Sequence, residues 1–133
     1  MRKTLSIAAV IIMGVSTLAL SGCGKYTSSW SAVGYIHSND SDSGYMNFYK
    51  FKGREVFTMK SDSSERHIKY SGTLEKGSVK VYYDIGDEKK ELFTLKEGET
   101  IEAVSEDLSE GKVYVIVETD GECSNGKLDF AIE

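Results

Sequence analysis

The side chains able to do soft-ligand or nucleophilic chemistry are few and widely spaced. Two cysteines, Cys23 and Cys123, and two histidines, His37 and His67, are all the thiol and imidazole groups in a chain of 133 residues. The histidines lie thirty positions apart without the H-x-x-x-H spacing of a zinc helix, and no cysteine pair completes a tetrahedral set. His67 falls on the polar phase of Glu65-Arg66-His67-Ile68-Lys69-Tyr70 if Ile68 and Tyr70 point inward, as an exposed strand histidine does. Cys123 stands in Asp120-Gly121-Glu122-Cys123-Ser124-Asn125-Gly126, a hairpin loop by composition. Its acidic neighbours disfavour the thiolate that a nucleophile needs. No G-x-S-x-G elbow, S-x-x-K, P-loop or G-x-G-x-x-G run is present. The 21 acidic residues make carboxylate pairs commonplace, whereas glycoside hydrolysis needs two acids at a fixed separation in a cleft. The run Ser38 to Gly44 offers hard oxygens for Ca²⁺. An EF-hand loop begun at Asp40 would put its glycine position on Tyr45, and turn-forming residues explain the same composition. The reading is of no catalytic residues, no metal site and no enzyme.

Cys23 has a different setting. Met1-Arg2-Lys3 is followed by sixteen uncharged residues, Leu5 to Leu20, and then by Ser21 and Gly22. A basic start, an apolar stretch and small residues before a cut describe a secretory signal peptide. The stretch falls short of the roughly 20 residues that cross a bilayer as a helix. Leu20-Ser21-Gly22-Cys23 resembles the bacterial lipobox. The resemblance implies that the Cys23 thiol receives a diacylglyceryl group, with or without an N-acyl chain, after which residues 1–22 are removed. A thioether at Cys23 rules out a disulfide with Cys123. Two acyl chains give stable anchoring where one gives marginal binding, at about 0.8 kcal/mol per buried methylene. The expected address is the extracytoplasmic face of the cell membrane. Gly24 stands where an inner-membrane retention signal would place aspartate.

Removal of residues 1–22 leaves 111, enough for one domain. It also leaves 14 basic against 21 acidic side chains, a net charge near −7, which argues against nucleic acid as a partner. The charge is polarised: residues 23–96 carry net +2 and residues 97–133 net −9. Lys50, Lys52 and Arg54 favour an anionic surface by up to about 1 kcal/mol each near a membrane, although lysines at a solvated strand end serve solubility equally well.

The elements that position these groups follow period two. Val79, Val81, Tyr83 and Ile85 alternate with polar residues, as do Leu128, Phe130 and Ile132, while Lys112 to Thr119 is β-branched and aromatic throughout. Glycines at 77, 86, 98, 111 and 121 punctuate the runs at short intervals. The pattern gives about eight or nine antiparallel strands, near 30–37, 44–52, 55–60, 65–74, 78–85, 90–96, 99–105, 111–119 and 126–132. A helix over Glu99 to Leu108 competes, through Ile101, Val104 and Leu108, but ten residues between glycines form a marginal helix. The fold class is all-β, an antiparallel β-sandwich after an N-terminal signal helix. Its domains are the cleaved signal 1–22, a short tether 23–29 and a sandwich 30–133.

The order of Phe51-Lys52-Gly53, G-S-V-K-V-Y-Y-D at 77–84, G-K-V-Y-V-I-V-E at 111–118 and G-K-L-D-F-A-I at 126–132 resembles small all-β modules of bacterial surface lipoproteins and secreted enzymes. These are jelly-roll-like domains of the pre-peptidase C-terminal kind. The calcium-binding members use clustered acidic loops, of which this chain has no complete set. The resemblance implies a fold and not an activity.

Among the fourteen aromatic residues, Tyr82 is opposite in phase to Val81 and Tyr83, and Tyr114 to Val113 and Val115. Tyr82 and Tyr114 therefore share an outward face that could stack on sugar rings or anchor a protein, or could lie under a second layer. The functional expectation is a membrane-anchored, non-catalytic lipoprotein that binds a partner at the cell envelope. A cell-wall glycan module is the first alternative, and an accessory domain of a secreted enzyme system or a small hydrolase the second.

Overall fold

A computed structural model describes residues 26–62 and 67–133. The segment 1–22 expected to be a signal peptide, and Cys23, expected to be lipidated, lie outside the described residues. Nine strands follow in order: β1 (Ser29–Val33), β2 (Ile36–Asn39), β3 (Ser43–Ser61), β4 (Ile68–Lys76), β5 (Val79–Ile85), β6 (Glu88–Leu95), β7 (Thr100–Val104), β8 (Gly111–Thr119) and β9 (Cys123–Ile132). All pairings are antiparallel. The described residues contain no helix, so the all-β sandwich expected from period two is the fold. The stretch 99–105 is strand β7, held along β4 from Lys69↔Val104 to Thr73↔Thr100.

The organising element is β3, nineteen residues long. Period two alone divides this stretch into two strands, because its buried phase changes: Gly44, Met46 and Phe48 point in, then Phe51, Glu55, Phe57 and Met59. Tyr49 and Lys50 both remain outside, and the inner side changes between Phe48 and Phe51 while the register with β9, β1 and β2 stays constant, so the strand continues through the change with no extra residue inserted. The first half of β3 pairs with β9 (Ser43↔Ala131 to Phe51↔Cys123) and the second with β8 (Arg54↔Glu118 to Ser61↔Gly111). β8 and β9 thus follow one another along one edge of β3, each pairing with one half of it. The strand order is β6-β5-β8-β3-β9-β4-β7, with β1 and β2 on the other edge of β3.

The layers face each other across an apolar core. Tyr70 from β4 stacks on Phe93 from β6 with ring centroids 4.8 Å apart, and Phe57 from β3 meets Phe130 from β9 at 5.7 Å. Cys123 is not in a loop: it opens β9 with no exposed surface, its thiol 3.4 Å from the Ser78 carbonyl. The composition of 120–126 is that of a turn, but the turn itself is shorter, and Asn125 takes its positive φ of 51° inside β9.

The stretch 30–37 read as one strand is two. Gly34, at φ 59°, separates β1 from β2 and seats itself over Tyr49, where any Cβ would come within 3.2 Å of that residue's Cβ. Gly53 is required for a related reason: a Cβ there would lie 2.3 Å from the Ser29 carbonyl oxygen, so only glycine lets β1 cross so close.

Candidate functional site

Tyr82 and Tyr114 do share an outer face. Tyr82 pairs with Ile116 and Asp84 with Tyr114 across β5 and β8, so all four project to the same side, on neighbouring strands. The N-terminal segment changes what that face offers. Tyr26 crosses it, meeting Tyr114 edge-on at 5.4 Å and donating its hydroxyl to Asp84 Oδ2 at 2.5 Å. Asp84 and Ile116 are consequently buried, although their phase is the outward one. The stretch 26–29 assigned to the tether therefore includes residues laid against the sandwich.

Tyr114 is covered in this way, while Tyr82 lines an open groove of about 560 Å³ with Ser78, Lys80, Thr94, Lys96 and Glu118. Lys89 Nζ lies 4.3 Å from the Tyr82 ring centroid, a cation–π contact on one of its faces. Burial, with Glu118 and Glu91 nearby, pushes the Tyr82 hydroxyl above its ordinary range, so it stays a neutral donor. The groove thus combines one aromatic plate, lysine ammonium groups, hydroxyls and the carboxylates of Glu118 and Asp120. Such a set can hydrogen-bond a polyhydroxylated or mixed-charge ligand. A second shallow hollow of about 370 Å³, lined by Tyr45, Lys69, Glu102 and Asp129 among others, lies over the β9–β4 face.

A different group of residues had no part in the sequence reading: the buried carboxylate Glu55 and the aromatic side chains above it. Glu55 lies on the inner phase of β3 beside Phe57 and is almost wholly buried. Ser28 Oγ donates to its Oε2 at 2.5 Å, the Tyr35 hydroxyl donates to Oε1, and His37 Nδ1 stands 3.5 Å from Oε1. The same Ser28 Oγ accepts the Val56 amide at 2.9 Å, occupying a backbone donor on the free edge of β3. Tyr35 and His37 are stacked at 4.6 Å, with Trp30 edge-on to Tyr35 at 4.8 Å. Burial raises the Tyr35 hydroxyl far above its usual value, and its bond to Glu55 adds to the shift. The arrangement is a clasp: the carboxylate accepts from donors on either side of β1 and holds that strand on β3. The available signal in the sequence was phase, since Glu55 shares the inner phase of Phe57 and Met59.

The remaining chemical groups serve structure. His67 Nδ1 lies 3.1 Å from the Ser105 carbonyl and its Nε2 lies 3.0 Å from Asp107, bridging the start of β4 to the chain beyond β7. It is half-buried, and its partners explain its position. Burial raises the Cys123 thiol above its ordinary value, which opposes nucleophilic use. In the Ser38–Gly44 run, the Asn39 side chain bonds both the amide and the carbonyl of Thr58, at 2.8 and 2.9 Å, as a strand backbone would. Asp40 N bonds the Ser43 carbonyl at 2.8 Å.

No protein-family model matches the chain, and no characterised protein matches it. Among solved structures it is similar to the Drosophila melanogaster CENP-C cupin domain, at 18% identity and a TM-score of 0.32, over 84% of this chain and 73% of that one. It is also similar to a mutant of a carbohydrate-binding module of family 29, at 13% identity and a TM-score of 0.40, over 80% of this chain and 89% of that one. Likeness at this level does not bear on function.

Proposed function

We propose that this chain is a non-catalytic binding module held by a lipid on Cys23 at the extracytoplasmic face of a bacterial membrane. The lipobox-like run supports the address. The observation that supports the activity is the open groove around Tyr82, which offers an aromatic plate, ammonium groups and hydroxyls to solvent. Tyr114 is not part of this binding surface, because Tyr26 covers it.

A glycan of the cell wall is the ligand class that this groove fits. Sugar rings stack on a tyrosine face, and their hydroxyls pair with Thr94, Lys80 and Glu118. The expected affinity is modest, because a shallow groove leaves much of its ligand in water. Pull-down of the lipidated protein, solubilised in detergent, on purified peptidoglycan and on a glycan array tests this. Retention on one of these that Tyr82→Ala reduces about tenfold, a loss of about 1.4 kcal/mol, supports the reading. Absence of retention, or equal retention by Tyr82→Ala and by wild type, contradicts it. An envelope protein is the other partner class, and cross-linking through Lys96 in intact cells would identify one.

A further inference from the structure

Five large apolar side chains are markedly exposed among the described residues, and four of them lie at the β1–β2 edge: Val33, Ile36 and Tyr49 on its outer side, and Trp30 on the other side of β1 against Tyr35, His37 and Phe51. The register explains how three of them come together. Val33 pairs with Lys50 and Ile36 with Asn47, which sets Tyr49 opposite Gly34 between them, at the change of inner side where Tyr49 and Lys50 both stay outside. Ile36, at 66%, is the most exposed of the five. Lys50 lies beside this patch, 5.7 Å from the Tyr49 ring, and Lys52 projects from the same side of β3. From Ser43 to Arg54 the strand carries three basic residues and no acid.

The opposite edge of the same layer has the reverse character. Residues 97–110, which include β7, hold six acidic side chains and no basic one. The fifth exposed apolar residue, Val104, stands among them. An anionic surface would therefore attract one edge of the sandwich and repel the other.

Chain length limits where that surface can lie. Two residues, Gly24 and Lys25, separate Cys23 from Tyr26, and the three chain steps at up to about 3.6 Å each span no more than about 11 Å. A bilayer holding lipidated Cys23 is thus close to Tyr26 and, over six steps of chain, within about 22 Å of the start of β1, so the edge that β1 and β2 form can reach it.

We infer that the β1–β2 edge docks on the bilayer that carries the lipid, with Trp30, Val33, Ile36 and Tyr49 at the interface and Lys50 and Lys52 over anionic head groups. The inference rests on the anchoring of Cys23 proposed above. Tryptophan and tyrosine favour the membrane–water boundary, and lysines there extend their charge to the head groups while their stems cover apolar surface. Docking would fix the orientation of the module, with the acidic β7 edge turned away from the lipid.

Trp30 is the only tryptophan in the chain, so its emission reports this contact alone. The full lipidated protein is reconstituted in vesicles of phosphatidylethanolamine and phosphatidylglycerol, with and without brominated acyl chains. Docking predicts that brominated lipid removes about half of the Trp30 emission, as expected for an interfacial indole. High salt and the combined variant Val33→Ser, Ile36→Ser, Lys50→Gln should each restore most of it, whereas Val104→Ser should change nothing. Equal emission in the two kinds of vesicle, from protein whose Cys23 peptide carries the diacylglyceryl mass, overturns the docking and leaves the anchor standing. A Cys23 peptide without that mass overturns the anchor and the docking with it. Cross-linking of Lys50 to a second copy in these vesicles, with Trp30 unquenched, assigns the patch to self-association and also overturns the docking.

Discussion

Glu55 and Asp84 are both carboxylates in strands, and both are buried, but for different reasons. Glu55 belongs to the inner phase of β3 and is enclosed where β1 and β2 fold over it, bonded by Ser28 and Tyr35 and flanked by His37. Asp84 belongs to the outer phase of β5 and is buried because Tyr26 lies across it. The N-terminal segment is therefore fastened twice, by Ser28 and Tyr35 on Glu55 and by Tyr26 on Asp84. The first attachment is part of the core, and the second is a cover that can be lifted without opening the sandwich. For a module tethered through this segment, the difference decides which contacts carry load and which control access to a face.

The largest effect should come from Glu55. Truncation to alanine strands the Tyr35 hydroxyl and removes the acceptor for Ser28, at a cost of about 2–4 kcal/mol. Urea unfolding should show a lowered midpoint, and amide exchange should show the protection of β1 falling before that of β8. A midpoint within about 0.5 kcal/mol of wild type would mean that the clasp contributes nothing to stability.

Tyr26→Phe should cost less, about 1 kcal/mol for one hydrogen bond to a buried carboxylate. Its informative consequence is local: exchange protection at 26–28 should fall while β5 and β8 keep theirs, and Tyr114 should become more accessible to iodination. Equal loss of protection throughout the sandwich would erase the distinction between the two attachments.

The smallest effect at neutral pH concerns a third phenol–carboxylate pair of the converse kind. Tyr83 is buried and donates to Glu106 at 3.0 Å, and burial together with that carboxylate pushes its hydroxyl from 10.0 up to about 12. The folded state thus favours the neutral phenol. The resulting stability is fully present below pH 10 and is lost as pH rises from 10 towards 12. Tyr83→Phe should flatten stability across that window and change little at pH 7, which urea titrations at several pH values would reveal.

Much of the architecture is legible in local pattern, because inner-facing residues of a half-buried strand alternate whatever their partners. Val79 to Ile85 and Leu128 to Ile132 show this directly, and β7 shows glycine-bounded alternation prevailing over a marginal helix. The junctions are not legible. A change of phase at Tyr49–Lys50 looks the same, in one dimension, as the end of one strand and the start of another. Only pairing with β8 along one half and β9 along the other makes β3 continuous. The candidate site was half legible for a similar reason: period two puts Tyr82 and Tyr114 on one face, but Tyr114 and Asp84 are covered by a residue 58 positions away from Asp84, which no local signal announces.

The central claim is that the chain works from a lipid anchor at Cys23. The most direct measurement is fractionation of cells that express wild type and Cys23→Ala, with the mass of the processed N-terminal peptide determined in parallel. The account predicts wild type in the membrane fraction with a diacylglyceryl-modified Cys23 at its N-terminus, and Cys23→Ala lacking that modification and absent from that pool. An unmodified Cys23 peptide, or unchanged membrane retention of Cys23→Ala, would contradict it.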